Sequence, residues 1–320
     1  MSIEELNVEI SRLRELHKKI ACKRLIMNLF AFILTAIIVV LTINKLSNEF
    51  IELVIMVVVV EIAVCLIVFE LIISQFVKKD DKDYDCGIEK VYYEFKRSCV
   101  LNSLKSIFSD VAYNPSKGFS KEFIKNVGML YTGDSFESND YVSGKYKNIS
   151  FEQSDIHIQK VHEEKDSDGN VEKVWETTFL GRVMVFDFNK KFKANLQVSS
   201  YLFDSATLPW SKKFSKVRME DVEFNKNFNV YAEDEHEAFY LLTPQFMEKI
   251  KDVTRKLKCG VMFCFVDNKL HIAVDNSSDS FECNIFKPID EKKITEEISR
   301  DIKLITDFVD ELNLDNDLFV

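Results

Sequence analysis

Two long apolar runs near the N-terminus constrain this chain more than any other feature. Leu25 to Ile43 (LIMNLFAFILTAIIVVLTI) is almost pure hydrocarbon, with Asn28, Thr35 and Thr42 as its polar side chains. Coiled as a helix, such a run is long enough to cross a hydrocarbon layer of about 30 Å. The second run, Phe50 to Val77, is longer and carries Glu52, Glu61 and Glu70 among strongly apolar residues. The connection from Asn44 to Glu49 is short and polar. The reading is therefore a transmembrane hairpin over 25–77, with antiparallel spans at about 25–43 and 51–76. A cleaved signal peptide is rejected, because a polar, helix-forming segment precedes the first run where a signal would have a brief basic one.

The basic flanks set the expected orientation. Arg12, Arg14, Lys18, Lys19, Lys23 and Arg24 precede the first span, Lys78, Lys79 and Lys82 follow the second, and Lys45 is the basic residue of the loop. Positive charge is retained on the cytoplasmic side, and nearby acids count for little. Both termini are thus expected in the cytoplasm of a multi-pass protein of a bacterial inner membrane, with the lipid bilayer as its first partner. The bacterial assignment rests on abundant Lys, Asn, Ile and Phe beside eight Gly and four Pro, as AT-rich genomes encode.

Two intramembrane polar residues stand out. Glu61 lies about 15 Å into the second span at about 1.5 Å per residue. An ionised acid at that depth costs about 2.5–3.5 kcal/mol, so it calls for a partner or a role. Thr35 on the first span reaches a similar depth. A protonated Glu61 bonded to it, or to a second copy of the chain, would hold a helix–helix contact.

Ahead of the spans, residues 1–24 form an amphipathic helix. Ile3, Leu6, Ile10, Leu13, His17 and Ile20 recur at alternating three- and four-residue steps, the seam of a short coiled coil. This face is expected to pack on the chain's own soluble domain, with self-association as the alternative. His17 on the seam is read as a tolerated polar residue rather than a pH sensor.

Residues 85–320 read as a cytoplasmic α+β domain. Helical spacing runs from Ile88 to about Val111, where Asn114-Pro115 breaks it, and again near Ser120 to Leu130. Period-two patterns over Tyr141–Lys147, Ile149–Val161, Val171–Asp187 and Lys193–Ser200 predict strands, with Asp166–Asn170 as a turn. Asp234 with Glu237 three residues on predicts a reciprocally capped helix start. Thr243-Pro244 predicts a cap and a proline-started helix to about Lys258. Val261–Val266 and Leu270–Val274 flank a hairpin turn. A final helix near Glu291–Leu312 should bury Ile294, Ile298, Ile302, Ile305 and Val309. Helices bracketing runs of strands, without βαβ alternation, indicate an antiparallel sheet.

The search for chemistry returns mostly structural answers. A net charge of −10 argues against nucleic acid, which requires a clustered basic surface. Seven scattered cysteines lack zinc-ligand spacing and read as reduced thiols. Gly128–Ser135 resembles a phosphate-binding loop, but Asp134 stands where a lysine must meet the phosphates. Asp166-Ser167-Asp168-Gly169 lacks the remaining ligands of a calcium loop. Glu233–Glu237 reads as helix capping, and Cys259, Cys264 and His271 read as structural residues of a hairpin. His157 and His162 have no nucleophile beside them. No cofactor, metal or catalytic residue is expected.

One set of blocks does carry a resemblance. Phe188-Asn189-Lys190-Lys191-Phe192, Glu220-Asp221-Val222-Glu223-Phe224, Phe228, Val230-Tyr231, Asp234, Glu237-Ala238 and Leu242-Thr243-Pro244 are similar in order and spacing to the bacterial family catalogued as domain of unknown function 3137. The N-terminal pair of spans and the closing amphipathic helix extend the resemblance over most of the chain. It implies a membrane-anchored protein without an assigned activity, so no catalytic residue carries over. The leading functional expectation is a non-enzymatic binding or scaffold module that recognises a membrane or cytoplasmic protein, with homo-oligomerisation as one form of that. The alternative is a membrane-associated hydrolase or lipid-modifying enzyme whose site is assembled from distant residues.

Overall fold

The computed structural model describes residues 1–45, 51–165, 171–188, 191–203 and 209–314. These fall into two compact units. The first comprises Met1–Phe95 with Cys283–Glu291, the second Lys96–Glu282 with Lys292–Val320.

The first unit is built on two long helices, α1 (Ile3–Lys45) and α2 (Ile51–Phe95). α1 runs without a break through the junction between its amphipathic and apolar parts. In the outer halves, Leu25, Phe30, Phe32 and Leu41 on α1 and Leu66, Ile67, Leu71 and Phe76 on α2 are all more than half exposed. Both helices are long and apolar enough to cross a membrane, and outward-facing hydrocarbon of this kind is what lipid solvates. The connection at 46–50 and the side chain of Glu61 lie outside the described residues. The Thr35 hydroxyl donates to the Ala31 carbonyl one turn back, at 2.9 Å.

The inner halves of the two helices pair with each other. Leu6, Ile10, Leu13 and Ile20 are buried, and the surface that covers them is the polar continuation of α2. The antiparallel register is marked by Lys23 with Asp80, Arg24 with Asp81 at 2.8 Å, His17 with Tyr84 at 5.2 Å between rings, and the Met1 ammonium with Glu94 at 3.4 Å. A Cβ at Gly87 would meet the tip of the Leu13 side chain, which marks how closely the helices approach there. The returning segment Cys283–Glu291 joins this unit through a reciprocal amide clamp. Asn7 donates to the Ile289 carbonyl at 2.9 Å and accepts from the Ile289 amide at 2.6 Å.

The second unit opens with a π-helical turn (Lys96–Val100) and α3 (Leu101–Ile107), followed by β1 (Ser109–Asn114) and α4 (Lys121–Val127). The helix expected to run to Val111 therefore ends at Ile107, and Val111 lies in a strand. Next come β2 (Ser135–Tyr146), β3 (Ile149–Lys165), β4 (Val171–Asp187), β5 (Leu196–Ser200) and β6 (Ser215–Val217). They are followed by α5 (Val222–Asn227), β7 (Phe228–Ala232), α6 (Glu235–Leu241), α7 (Pro244–Leu257), β8 (Gly260–Val266), β9 (Lys269–Asp275) and α8 (Glu291–Leu312). The strands form one sheet in the order β1-β2-β3-β4-β9-β8-β5-β7-β6, antiparallel at every junction.

Both faces of the sheet are covered. Phe186 and Phe263 meet Phe308 of α8 at 6.5 and 6.2 Å between rings, and Phe265 meets Phe246 of α7 at 6.1 Å. On the opposite face, Ile156, Ile158, Val183, Met262, Cys264 and Ala273 share a core with Ile124, Val127 and Trp210. All seven residues of β8 are consequently buried, which explains its unbroken apolar run. Asp267 and Asn268 both adopt the left-handed conformation between β8 and β9, as a tight hairpin turn requires.

Candidate functional site

A buried network of charge is the most unusual feature of the sheet domain, and it begins with a β-bulge. The β2–β3 register shifts between Asn139 and Val142, and Asp140 sits there at φ 52°. A bulge re-aims its side chain, and Asp140 is completely buried. Its carboxylate accepts from Lys96 Nζ at 2.6 Å, from Asn139 at 3.1 Å and from the Tyr113 hydroxyl. Lys96 also reaches Glu282 at 2.7 Å. Burial pushes the Asp140 pKa up to about 6, although Lys96 pulls against it. Burial opposes the Lys96 charge too, but its two carboxylates outweigh that and hold its pKa above the ordinary lysine value. Tyr113, buried beside a carboxylate, is raised as well.

The second node is a cross-strand pair, Asp155 on β3 opposite Arg182 on β4, both almost fully buried. Arg182 Nε stands 3.5 Å from Asp155, Nη1 donates to the Asp301 carbonyl at 2.6 Å, and Nη2 donates to the Asp301 carboxylate at 3.1 Å and to the Ser280 hydroxyl. Asp155 in turn accepts from the amide and hydroxyl of Ser280, at 2.5 and 2.8 Å. Burial raises the Asp155 pKa well above the usual carboxylate range, with Arg182 opposing and Asp279 adding to the rise. Oxygens of Asp140, Asp155 and Asp279 lie within 4.8 Å of one another, a spacing that a cation's ligands also adopt. Here Lys96 and Arg182 already place two cations against these carboxylates. The network pairs each of its two cations with two carboxylates.

Sequence reasoning missed this network, although half of it was legible. Arg182 shares its strand parity with Met184 and Phe186, and Asp155 shares its parity with Phe151, so alternation could have pointed both toward a core-facing side. Asp140 carried no such signal, because the bulge breaks the alternation that would have located it.

The resemblance-derived positions are spread through the scaffold. Phe188 packs on Phe265 at 5.2 Å, and the Phe192 amide donates to Asn268 at 3.1 Å. Asn189 lies outside the described residues, and Glu220 is exposed. Asp221 caps α5, accepting from the amides of Glu223 and Phe224. Those bonds, the Phe224 amide foremost, together with Lys251 lower its pKa. Phe224 stacks on Phe228 at 4.7 Å. Asp234 caps α6 by accepting from His236, but the reciprocal half of the capping box is replaced: Glu237 accepts from the Lys193 amide at 3.0 Å. Thr243 caps α7 with Pro244 at its first turn.

The remaining motifs are placed as follows. Gly128 is the left-handed cap of α4, and Asp134 accepts from the Val161 amide at 2.9 Å. The segment 166–170 lies outside the described residues. Burial pushes the Cys264 thiol up to about 12 and His271 down to about 4, so both are neutral and unreactive. His157 meets Thr177 at 3.0 Å, and His162 meets Glu164 at 3.0 Å.

The class defined by these observations is an α+β domain with a nine-stranded antiparallel sheet, preceded by two helices of membrane-crossing length and apolarity. Residues 177–314 match the family model described as Protein of unknown function (DUF3137), so this part of the chain is similar to that family. The matched stretch holds every block that carried the resemblance, while α1, α2 and the first half of the sheet lie outside it. No curated protein and no solved structure matches the chain.

Proposed function

We propose that the chain is a membrane-tethered binding module whose β3–β4 ribbon engages a protein partner. The apolar halves of α1 and α2 cross the bilayer as an antiparallel pair, and the basic residues flanking them keep both termini and the sheet domain in the cytoplasm.

The ribbon is the observation that supports this reading. β2 pairs with β3 as far as Gln159, and β9 pairs with β4 from Arg182 onward. Beyond them, Lys160–Lys165 and Val171–Glu176 pair only with each other among the described residues, an arm of about 20 Å at about 3.3 Å per residue. A bulge at its base, where Ile158 opposes Phe179 and Gln159 opposes Thr177, sets it off from the sheet. Trp175 and Val171 are each 53% exposed, on the same face as Val161. A two-stranded ribbon in water is marginal by itself, and this one covers no core. An exposed tryptophan on such an element supplies the kind of anchor that dominates protein interfaces.

A photocrosslinking residue at position 175 of the full chain, in its native membrane, tests the reading. A discrete adduct that is lost when the same residue is moved to exposed Glu220 is expected. An adduct with the mass of two chains would identify the partner as a second copy, and absence of any position-specific adduct would contradict the proposal.

A further inference from the structure

The structure holds a second feature, independent of the ribbon, that points to a small-molecule ligand. Between the turn after β5, the end of α5 and the last two turns of α7 lies a cleft of about 490 Å³, within the range of small-ligand sites. In a chain of net charge −10, its ionisable lining is four cations, Lys226, Lys251, Arg255 and Lys258, against one carboxylate, Glu223. We infer that this cleft binds an organic phosphate, taking the phosphate on its lysines and the organic part on Tyr201 and Leu202.

The four cations are not equivalent. Lys251 is buried and already matched by Glu248, Asp221 and Glu223 at 2.7, 2.9 and 3.2 Å, so it forms a fixed floor and welds α7 to α5. Arg255 makes an exposed pair with Asp252 on its own helix at 2.9 Å, a contact weak enough in water to be exchanged. Lys226 and Lys258 make no ion pair among the described residues, and both are exposed. Two unmatched ammonium groups facing one cavity are the complement of a dianion. Lys258 is also the left-handed cap of α7, at φ 56°, where the helix end alone would favour glycine.

A hydroxyl adds a second, different signal. Thr254 lines the same cleft, and its Oγ1 is buried without a hydrogen-bond partner. A buried polar atom left unsatisfied is costly, and a rotation about the Thr254 side-chain bond that turned the hydroxyl to the cleft would let a phosphate oxygen accept from it. On the other side, Tyr201 is 52% exposed and Leu202 68% exposed. The Tyr201 hydroxyl is held by donating to the Asn225 carbonyl at 3.0 Å, which leaves its ring as a fixed apolar wall. Inorganic phosphate would use half of this arrangement, whereas a phosphate ester uses all of it.

The shared chemistry fits a soluble phosphomonoester and a lipid headgroup alike, and the test separates them. The full chain in uncharged detergent is titrated by calorimetry with inorganic phosphate, phenyl phosphate and short-chain phosphatidic acid. Saturable binding of phenyl phosphate tighter than inorganic phosphate is expected, weakening as salt rises. Lys226→Gln with Lys258→Gln should lower the affinity at least about tenfold, since charge-assisted hydrogen bonds are lost, and Thr254→Val should lower it less. Lys226→Arg with Lys258→Arg, which keeps the charge, should retain binding, and this separates a lost ligand contact from a damaged fold. Phosphatidic acid binding without phenyl phosphate binding would assign the site to a lipid headgroup; the converse would assign it to a soluble ester. Failure of all three to saturate, or equal affinity in the double glutamine variant, would overturn the inference.

Discussion

The two ends of the β3–β4 ribbon invert the usual relation between residue type and solvent. At the inner end, where β2 and β9 flank the pair and α8 covers it, Asp155 and Arg182 are buried. At the outer end, Val171 and Trp175 face solvent. Charge inside and hydrocarbon outside on one continuous pair of strands shows that burial is decided by what neighbours the ribbon, not by the ribbon itself. The inner end is tolerable because each charge is matched: Arg182 finds Asp155, Ser280 and Asp301, and Asp155 finds the Ser280 amide and hydroxyl. The outer end has no comparable internal reason to exist. Stability resides at one end, and the exposed surface proposed for recognition lies at the other.

Breaking the inner end should have the largest effect. Arg182→Met leaves Asp155 buried without its counter-charge and removes the donors to Ser280 and Asp301, and should cost about 3–5 kcal/mol by chemical denaturation of the full chain in detergent. A loss below about 1 kcal/mol would mean that water or neighbouring groups already screen the pair.

The pH dependence contributed by Asp140 should be somewhat smaller and has a definite sign. Asp140 titrates at about 6 when folded against an ordinary value of 3.8, so the folded state binds the extra proton. Its contribution is therefore fully present below pH ~4 and is lost as pH rises through 6, a change of about 3 kcal/mol. His271 works in the opposite direction. Its pKa falls from 6.5 to about 4, so its contribution is present above pH ~6.5 and lost as pH falls through 4. Asp140→Asn should remove the alkaline-side loss and leave the acid-side loss exposed. A stability profile between pH 4 and 7 that Asp140→Asn leaves the same as the parent's would contradict the placement of Asp140.

The outer end should show the smallest effect on stability. Trp175→Ser is expected to change the unfolding free energy by no more than about 0.5 kcal/mol, as an exposed substitution does, while weakening partner capture by the arm. A large destabilisation would mean that Trp175 packs against something and that the contrast between the two ends is wrong.

The sequence disclosed these regions unevenly, for physical reasons. α8 was legible to its last residue because Ile294, Ile298, Ile302, Ile305 and Val309 repeat over about four turns, and the caps at Asp234 and Thr243 are chemically explicit. The β8–β9 hairpin was legible from its turn. β1 was not, because Leu104, Ile107, Phe108 and Val111 continue a helical spacing, and only distant pairing with β2 makes Ser109–Asn114 a strand. β7 is buried at all five positions, so it shows no alternation to read. The periodicity of the N-terminal seam was visible, but its partner was not: nothing local reveals that Leu13 meets Gly87 on the far side of two apolar runs. Of the candidate site, Arg182 and Asp155 were readable from strand parity, whereas Asp140 depends on a bulge that forms only in the folded sheet.

The account's central claim is a tether that crosses the membrane and keeps the ribbon in the cytoplasm. Cysteine labelling tests it most directly. The seven native thiols are replaced, and a single cysteine is placed either at Ser47, between the spans, or at Trp175. With an impermeant thiol reagent in intact cells, Ser47→Cys should label, and Trp175→Cys should label only after the membrane is permeabilised. Labelling of Trp175→Cys in intact cells, with Ser47→Cys protected, would contradict the account.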